Sequence, residues 1–236
     1  MQEQLRNFKS EGIRSFGRIR ARKRSARQER LLREVLPKYL LSQKLSQTGF
    51  IEPNFEKTFK ELWLEIGFGG AEHLLQLAKR YPDIGIIGSE PFEGGIIKAL
   101  SALENDNKRN ILLFNADVRP LLRVIQRASF NRIFILFPDP WPKARHAKRR
   151  LINNDFIEVL VHIMKPGGHL HIATDIRSYA REIFDLCSHH GGFLPQTWDE
   201  VKFAQPWADW SGTRYESKAL KQGRFPLFLT FLRENN

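Results

Sequence analysis

Cysteine is almost missing: Cys187 is the only one in 236 residues, so no internal disulfide can form and no Cys-rich metal site exists. A reducing compartment suits such a chain, and Cys187, within IFDLCSHH on a helical pattern, reads as a small hydrophobe of the core. Apolar runs of membrane-spanning length are missing too, and the amino terminus has no apolar h-region with a cleavage site. A soluble, cytoplasmic protein with no membrane association is therefore expected; Glu3, Glu11 and Glu29 argue against reading the Arg-rich start as a transit peptide. Internal repeats and low-complexity blocks are lacking. His146, His169, His171, His189 and His190 show no ligand spacing with acids or cysteine, so no metal is expected.

What is abundant is positive charge. The formal net charge is +12, which points to nucleic acid or an anionic lipid surface as partner. Residues 1–38 hold twelve Lys/Arg against four Glu, a net of +8, so most of the excess lies in the first sixth of the chain. There the cations alternate with Phe8, Ile13, Phe16 and Ile19, too few apolar side chains to pack alone. Two readings fit this basic N-terminal arm: a disordered, solubilising tail, or an RNA-contacting segment that orders on binding, which the interleaved aromatic and Arg residues favour. Leu31, Leu32, Val35 and Leu36 follow at helical spacing as a short lead-in before Pro37. The division drawn from charge is an arm over 1–38 and a catalytic domain over 39–236.

From Glu61 the pattern alternates between strand and helix. LWLEIGFG (62–69), IGIIGSE (84–90), ILLFNAD (111–117), IFILF (133–137) and HLHIATD (169–175) read as strands, with amphipathic helical stretches between them. Lys165-Pro166-Gly167-Gly168 is expected to end one of those helices, and FPLFLTFLRE (225–234) reads as a returning, antiparallel strand. Five βα units in succession predict a doubly wound, mostly parallel α/β sheet.

Each of the five strands ends on an acid: Glu65, Glu90, Asp117, Asp139 and Asp175. Any one of them reads equally as a helix cap or a solvated acid, but all five at the ligand-binding edge of one sheet make a pattern. The first loop, Gly67-Phe68-Gly69-Gly70, lets a ligand approach the backbone, yet it is not G-x-G-x-x-G because Glu72 stands where a third glycine would be. Glu65 just before it would repel a pyrophosphate and suits a cationic ligand. Glu90 is placed to accept from a ribose diol, and Asn115-Ala116-Asp117 to meet an adenine amino group. A crevice of acids without a phosphate cradle fits S-adenosylmethionine, which carries a ribose, an adenine and a positive sulfonium.

The fourth strand stops at Pro138-Asp139-Pro140-Trp141-Pro142, expected to hold Asp139 and Trp141 in a stiff extended segment. Lys143, Arg145, His146, Lys148, Arg149 and Arg150 follow. This reads either as a proline-capped strand with a solvated basic loop, or as a site for an anionic polymer of flat bases, with the cations on phosphates. Trp198, Trp207 and Trp210 lie in a later loop-rich stretch. It is either a lid packed on the sheet or a substrate-facing loop, and the nearby TRYE favours the second.

Taken together, LEIGFGG, GSEPF, NAD, FPDPWPKARHAKRR, ATD, Thr213-Arg214-Tyr215-Glu216 and the RSFGRIRAR arm closely resemble the bacterial tRNA (guanine-N7)-methyltransferase family. The resemblance spans nearly the whole chain, and PDPW with its basic extension is its most specific part. It implies a Rossmann-like, seven-stranded methyltransferase sheet, S-adenosylmethionine as cofactor, tRNA as partner, and 7-methylguanosine in the variable loop as product. By resemblance Glu65, Glu90, Asp117 and Asp139 bind the cofactor, together with the loop residues Gly67, Gly69, Asn115 and Ala116. Asp139 is also the catalytic candidate, and Lys143, Asp175, Thr213, Arg214, Tyr215 and Glu216 touch the RNA. Pro142 replaces the histidine common in relatives, and TRYE replaces TKFE, which blurs the substrate fit. Two other readings share the motifs: a methyltransferase of an exocyclic amine, whose Asp/Asn-Pro-Pro-aromatic segment PDPW resembles, and an RNA-binding protein on an inactive methyltransferase fold.

Overall fold

Apolar strands that bury both faces need helices on both sides, and the alternation along the chain supplies them. The computed structural model describes residues 23–41, 51, 53–106, 108–196 and 203–235. Within them β1 (Glu61–Ile66), β2 (Ile84–Ser89), β3 (Ile111–Phe114), β4 (Phe130–Leu136) and β5 (Met164–Thr174) are parallel. The returning segment is antiparallel as expected: β7 (Leu227–Arg233) pairs with β5, and a short β6 (Phe193–Pro195) pairs with β7. The sheet order is β3-β2-β1-β4-β5-β7-β6. Strand order reverses between β1 and β4, and the crevice beyond their carboxyl ends is where such sheets bind ligands.

Alternate side chains separate the core into two layers, as the pleat requires. Leu64, Ile87, Ile133 and Ile135 face one layer, closed by α6 (Asn154–Ile163) and α7 (Arg177–His189) through Phe156, Leu160, Tyr179 and Ile183. Trp63, Ile86, Leu113 and Phe134 face the other, closed by α3 (Glu72–Arg80) and α4 (Glu93–Leu103) through Leu74, Leu77, Ile96 and Leu100. Cys187 is fully buried in the first layer, where desolvation pushes its thiol up to about 12, so it stays protonated core filler. Among the described residues no helix is long and apolar enough to cross a membrane.

Three departures from the sequence expectation have local causes. The packed part of the chain starts inside the stretch that charge assigns to the arm. Ser25 caps α1 (Ala26–Arg30) in a capping box with Gln28, a π-helical turn (Leu31–Val35) follows, and α2 (Leu36–Tyr39) ends the segment. The wide turn ends two residues before Pro37, which has no N–H to give an α-helical bond. Leu31, Val35, Leu36 and Tyr39 are buried, and Arg27 pairs with Glu104 at 2.8 Å. Residues 1–22 of the arm lie outside the described residues.

Second, the helix ends at Ile163, next to Lys165–Gly168 as expected, but the fifth strand starts at Met164 rather than His169, so Lys165–Gly168 belongs to β5. Phe130 pairs with Met164, then the register shifts before Arg132 pairs with His169, and Gly167 absorbs the irregularity at φ +77°. Third, the proline-rich turn is not extended throughout. Phe137 and Trp141, which flank Pro138–Pro140, occupy left-handed φ values of 50° and 40°, so the chain bends at both places.

Candidate active site

At the carboxyl ends of β1, β2 and β4 lies a cavity of about 480 Å³. Of the expected site residues it brings together Gly67, Gly69, Glu90, Asp117, Asp139 and Tyr215. Its floor is built by mutual satisfaction of backbone and acid. Gly67 N donates to Ser89 O at 2.7 Å, and Gly69 N donates to Glu90 Oε2 at 2.8 Å. Glu90 Oε1 accepts from Phe92 N at 2.8 Å. The loop amides that would cradle a phosphate are thus already committed, one of them to a carboxylate. Burial pushes the Glu90 carboxyl up, and the Phe92 and Gly69 amides oppose that shift. This close approach requires glycine at 95, where a Cβ would stand 2.5 Å from Gly69 O.

Glu65 sits deeper than expected. It lines a recess beside the cavity, shared with Gly67, Thr213 and Tyr215, and its Oε2 lies 2.9 Å from His73 Nδ1. His73, the buried partner of Glu65, is a residue that sequence reasoning missed, because at the first turn of an amphipathic helix it looks like any interior position. Asp117 caps α5 (Val118–Leu122) through Arg119 N at 3.0 Å and also holds the Arg119 side chain at 2.9 and 2.7 Å. Neither Asn115 nor Ala116 lines the cavity. Asn115 Oδ1 is buried without a partner among the described residues, and Ala116 O accepts from Ser89 Oγ at 3.2 Å.

The turn carrying Asp139 is held from below. Phe137 N donates to Ala173 O at 2.7 Å, and Arg150 donates to Pro140 O at 2.8 Å and to Trp141 O at 3.3 Å while pairing with Glu182. Arg150 is therefore a clamp on the loop, which corrects its placement among phosphate contacts. Arg149 stacks on Trp141, its guanidinium carbon 5.0 Å from the ring centre, and both residues line the cavity. Asp139, Lys143, Arg145 and Lys148 are exposed. The Asp139 charge raises the pKa of both Glu90 and Tyr215, behind desolvation as the larger cause in each, so these groups share one field.

Thr213 and Glu216 form a capping box that starts α8 (Arg214–Lys221), Arg214 reaches Glu72 at 2.7 Å, and Trp210 Nε1 donates to Glu216 at 3.1 Å. In this arrangement Thr213, Arg214 and Glu216 build the scaffold, and Tyr215 presents its ring to the cavity, stacked on Phe137 at 6.3 Å. Trp207 and Trp210 pack with Phe134, His73 and Phe228 on the sheet, which overturns the substrate-facing reading for this pair. Trp198 lies outside the described residues. Asp175 does not line the cavity; it accepts from Arg224 Nε at 2.6 Å. Among the histidines, His171 is buried against Phe134 and Thr230, and His190 meets Glu158 at 2.9 Å. Among the described residues no cluster of three or more His, Cys, Asp or Glu is arranged to hold a metal ion.

Residues 60–227 match a protein family described as putative methyltransferase. A tRNA (guanine-N(7)-)-methyltransferase of Roseobacter denitrificans is 44% identical over 179 residues, covering 74% of this chain and 75% of that protein. One from Rhodospirillum rubrum is 38% identical over 227 residues, covering 95% and 89%. Among solved structures, the 16S rRNA methyltransferase KamB is similar with a TM-score of 0.55 at 14% identity, covering 81% of this chain and 95% of that one. The antibiotic-resistance methyltransferase Kmr gives 0.52 at 18% identity, covering 75% and 89%. At such identities these structures share the fold alone.

Proposed function

The chain belongs to the tRNA (guanine-N(7)-)-methyltransferase family, enzymes that methylate guanine N7 of tRNA from S-adenosylmethionine, and from that membership we propose which of its residues carry the reaction. The observation that carries the reading is the Gly69–Glu90 bond: a loop whose amide is given to a carboxylate suits a nucleoside with positive charge and no phosphate. When bound, S-adenosylmethionine supplies a methyl group on a positive sulfonium. Glu90 would accept from the ribose hydroxyls, Asp117 would face the adenine amino group, and Glu65 would attract the cationic amino-acid end from its recess, whereas Asn115 stays outside the cavity.

Guanine N7 carries an in-plane lone pair and no proton. That pair forms the new N–C bond as the S–C bond breaks towards sulfur, and positive charge passes to the purine. No base is needed at N7. Asp139, fixed on a turn clamped by Arg150, faces the charge that develops on the base and orients it. The target base leaves its stack to reach the cavity, and Tyr215 and Trp141 offer faces for it. Lys143, Arg145 and Lys148 hold phosphates, Asp175 and the Thr213–Glu216 segment border the RNA, and the part of the basic arm that precedes Ser25 adds further contacts. A tRNA substrate and a buried, protonated thiol fit work in the cytoplasm.

The test is methyl transfer from tritiated S-adenosylmethionine to unmodified bulk tRNA, with nucleoside analysis, for the wild type and Asp139→Ala. Label in 7-methylguanosine that disappears in the variant supports the assignment of Asp139. Full transfer by the variant removes Asp139 from the chemistry, and label in another nucleoside moves the reaction to an exocyclic amine.

A further inference from the structure

We propose that the end of α8 and the turn after it form a second RNA subsite outside the cavity, in which Phe225 stacks on an unpaired base and Lys218 and Lys221 hold the phosphates beside it. The proposal rests on the reading of the chain as a tRNA methyltransferase. Four large hydrophobic side chains are exposed among the described residues: Leu194, Tyr215, Leu220 and Phe225. Three of them fall on one twelve-residue stretch, 214–225, and Phe225 is the most exposed at 74%. Single exposed hydrophobes need no explanation, but this group is interleaved with Arg214, Lys218, Lys221 and Arg224. Aromatic faces set among cations are the composition that binds single-stranded nucleic acid without reading its sequence.

The backbone displays Phe225 rigidly. Gly223 at φ +71° closes α8, with Gly223 N donating to Leu220 O at 3.0 Å and Arg224 N to Ala219 O at 3.0 Å. Arg224 is pinned to Asp175 at the carboxyl end of β5, and Leu227 is already paired with Thr174 in the sheet. Holding an aromatic ring in water on a fixed turn loses little entropy when a base arrives. The cations divide by role. Arg214 and Arg224 hold Glu72 and Asp175, whereas Lys218 and Lys221, one helical turn apart and exposed, have no acid partner among the described residues.

Continuity with the cavity names the occupant. Tyr215 at the start of α8 lines the cavity, and six residues of helix carry the surface about 9 Å onward to Lys221. When the target guanine leaves its stack, its neighbours lose a stacking partner. Phe225 replaces that partner, so the strand running away from the cavity follows α8.

The test uses the full chain with unmodified tRNA and S-adenosylhomocysteine, and the variants Phe225→Ala, Phe225→Trp and the pair Lys218→Ala with Lys221→Ala. All three positions are exposed, so folding is not at issue. Phe225→Ala is expected to weaken tRNA binding about tenfold and Phe225→Trp to retain it, with the Kd for S-adenosylhomocysteine unchanged in both. The lysine pair should lower the slope of log Kd against log salt by about 1.4, two single-strand phosphates' worth. Affinity of Phe225→Ala within about twofold of the wild type, or an unchanged salt slope in the lysine pair, overturns the subsite. So does sedimentation showing a wild-type dimer that Phe225→Ala dissociates, which assigns the ring to a contact between copies. A wild type that binds tRNA yet leaves guanine N7 unmethylated counts against the catalytic reading, while the affinity and salt comparisons still decide the subsite.

Discussion

His73 Nδ1 lies 2.9 Å from Glu65 Oε2, and both side chains are almost completely buried. The pair joins the first turn of α3 to the end of β1, so the imidazole sets where the Glu65 carboxylate points. Removing the imidazole leaves a buried carboxylate short of a donor, a loss of about 1–3 kcal/mol in stability. His73→Leu should therefore lower Tm and weaken S-adenosylhomocysteine binding. 5′-Methylthioadenosine lacks the amino-acid end, so its affinity should hardly move. Calorimetric titration with both ligands decides: equal losses for the two would mean that His73 only supports packing.

Arg150 makes a second structural prediction. One guanidinium reaches Pro140 O, Trp141 O and Glu182 while lying 5.1 Å over Tyr179, and only a planar fork serves all of them at once. Arg150→Lys should lose most of the effect, costing about 2 kcal/mol in stability and lowering kcat more than it raises the KM for tRNA. Thermal melts with steady-state kinetics check it. A variant that keeps kcat but loses salt-dependent affinity would return Arg150 to the phosphate contacts.

How much of this was legible beforehand depended on whether the signal was local. The runs at 62–69, 84–90, 111–117 and 133–137 carry their own periodicity, and the acids that close them arrive with the strands, so the sheet and Glu90, Asp117 and Asp139 could be read. Residues whose role depends on a distant partner could not. Arg150 looks like its neighbours Lys148 and Arg149 until α7 brings Glu182 to it. Trp207 and Trp210 look like surface aromatics until β4, β7 and α3 supply Phe134, Phe228 and His73. The left-handed φ values at Phe137 and Trp141 leave no mark either, because neither residue type is one that favours them.

Asp139 is exposed and the role proposed for it is electrostatic, so its charge, rather than its shape, is what catalysis should require. Asp139→Asn keeps the size and removes the charge. A kcat reduced about 100-fold, with tRNA KM changed far less, is the expected result in single-turnover and steady-state methylation assays. Near wild-type kcat in the amide variant would show that orientation alone suffices.

His171 makes the acid limb of stability predictable. Desolvation first, then the charges of Arg132, His169 and His73, hold its pKa well below the ordinary 6.5. A histidine with a depressed folded pKa is neutral in the folded state and takes up a proton on unfolding. Its contribution to stability is thus full above about pH 6.5 and is lost as pH falls towards the folded value, by at most about 1.4 kcal/mol per pH unit. His171→Phe keeps an aromatic ring beside Phe134, with which His171 stacks at 5.1 Å, and gives up only the Thr230 hydrogen bond. Urea unfolding between pH 7.5 and 5 should show the wild type losing stability faster than the variant below pH 6.5. Parallel curves would mean that His171 is already neutralised in the unfolded chain or protonated in the fold, and acid sensitivity would then belong to other groups.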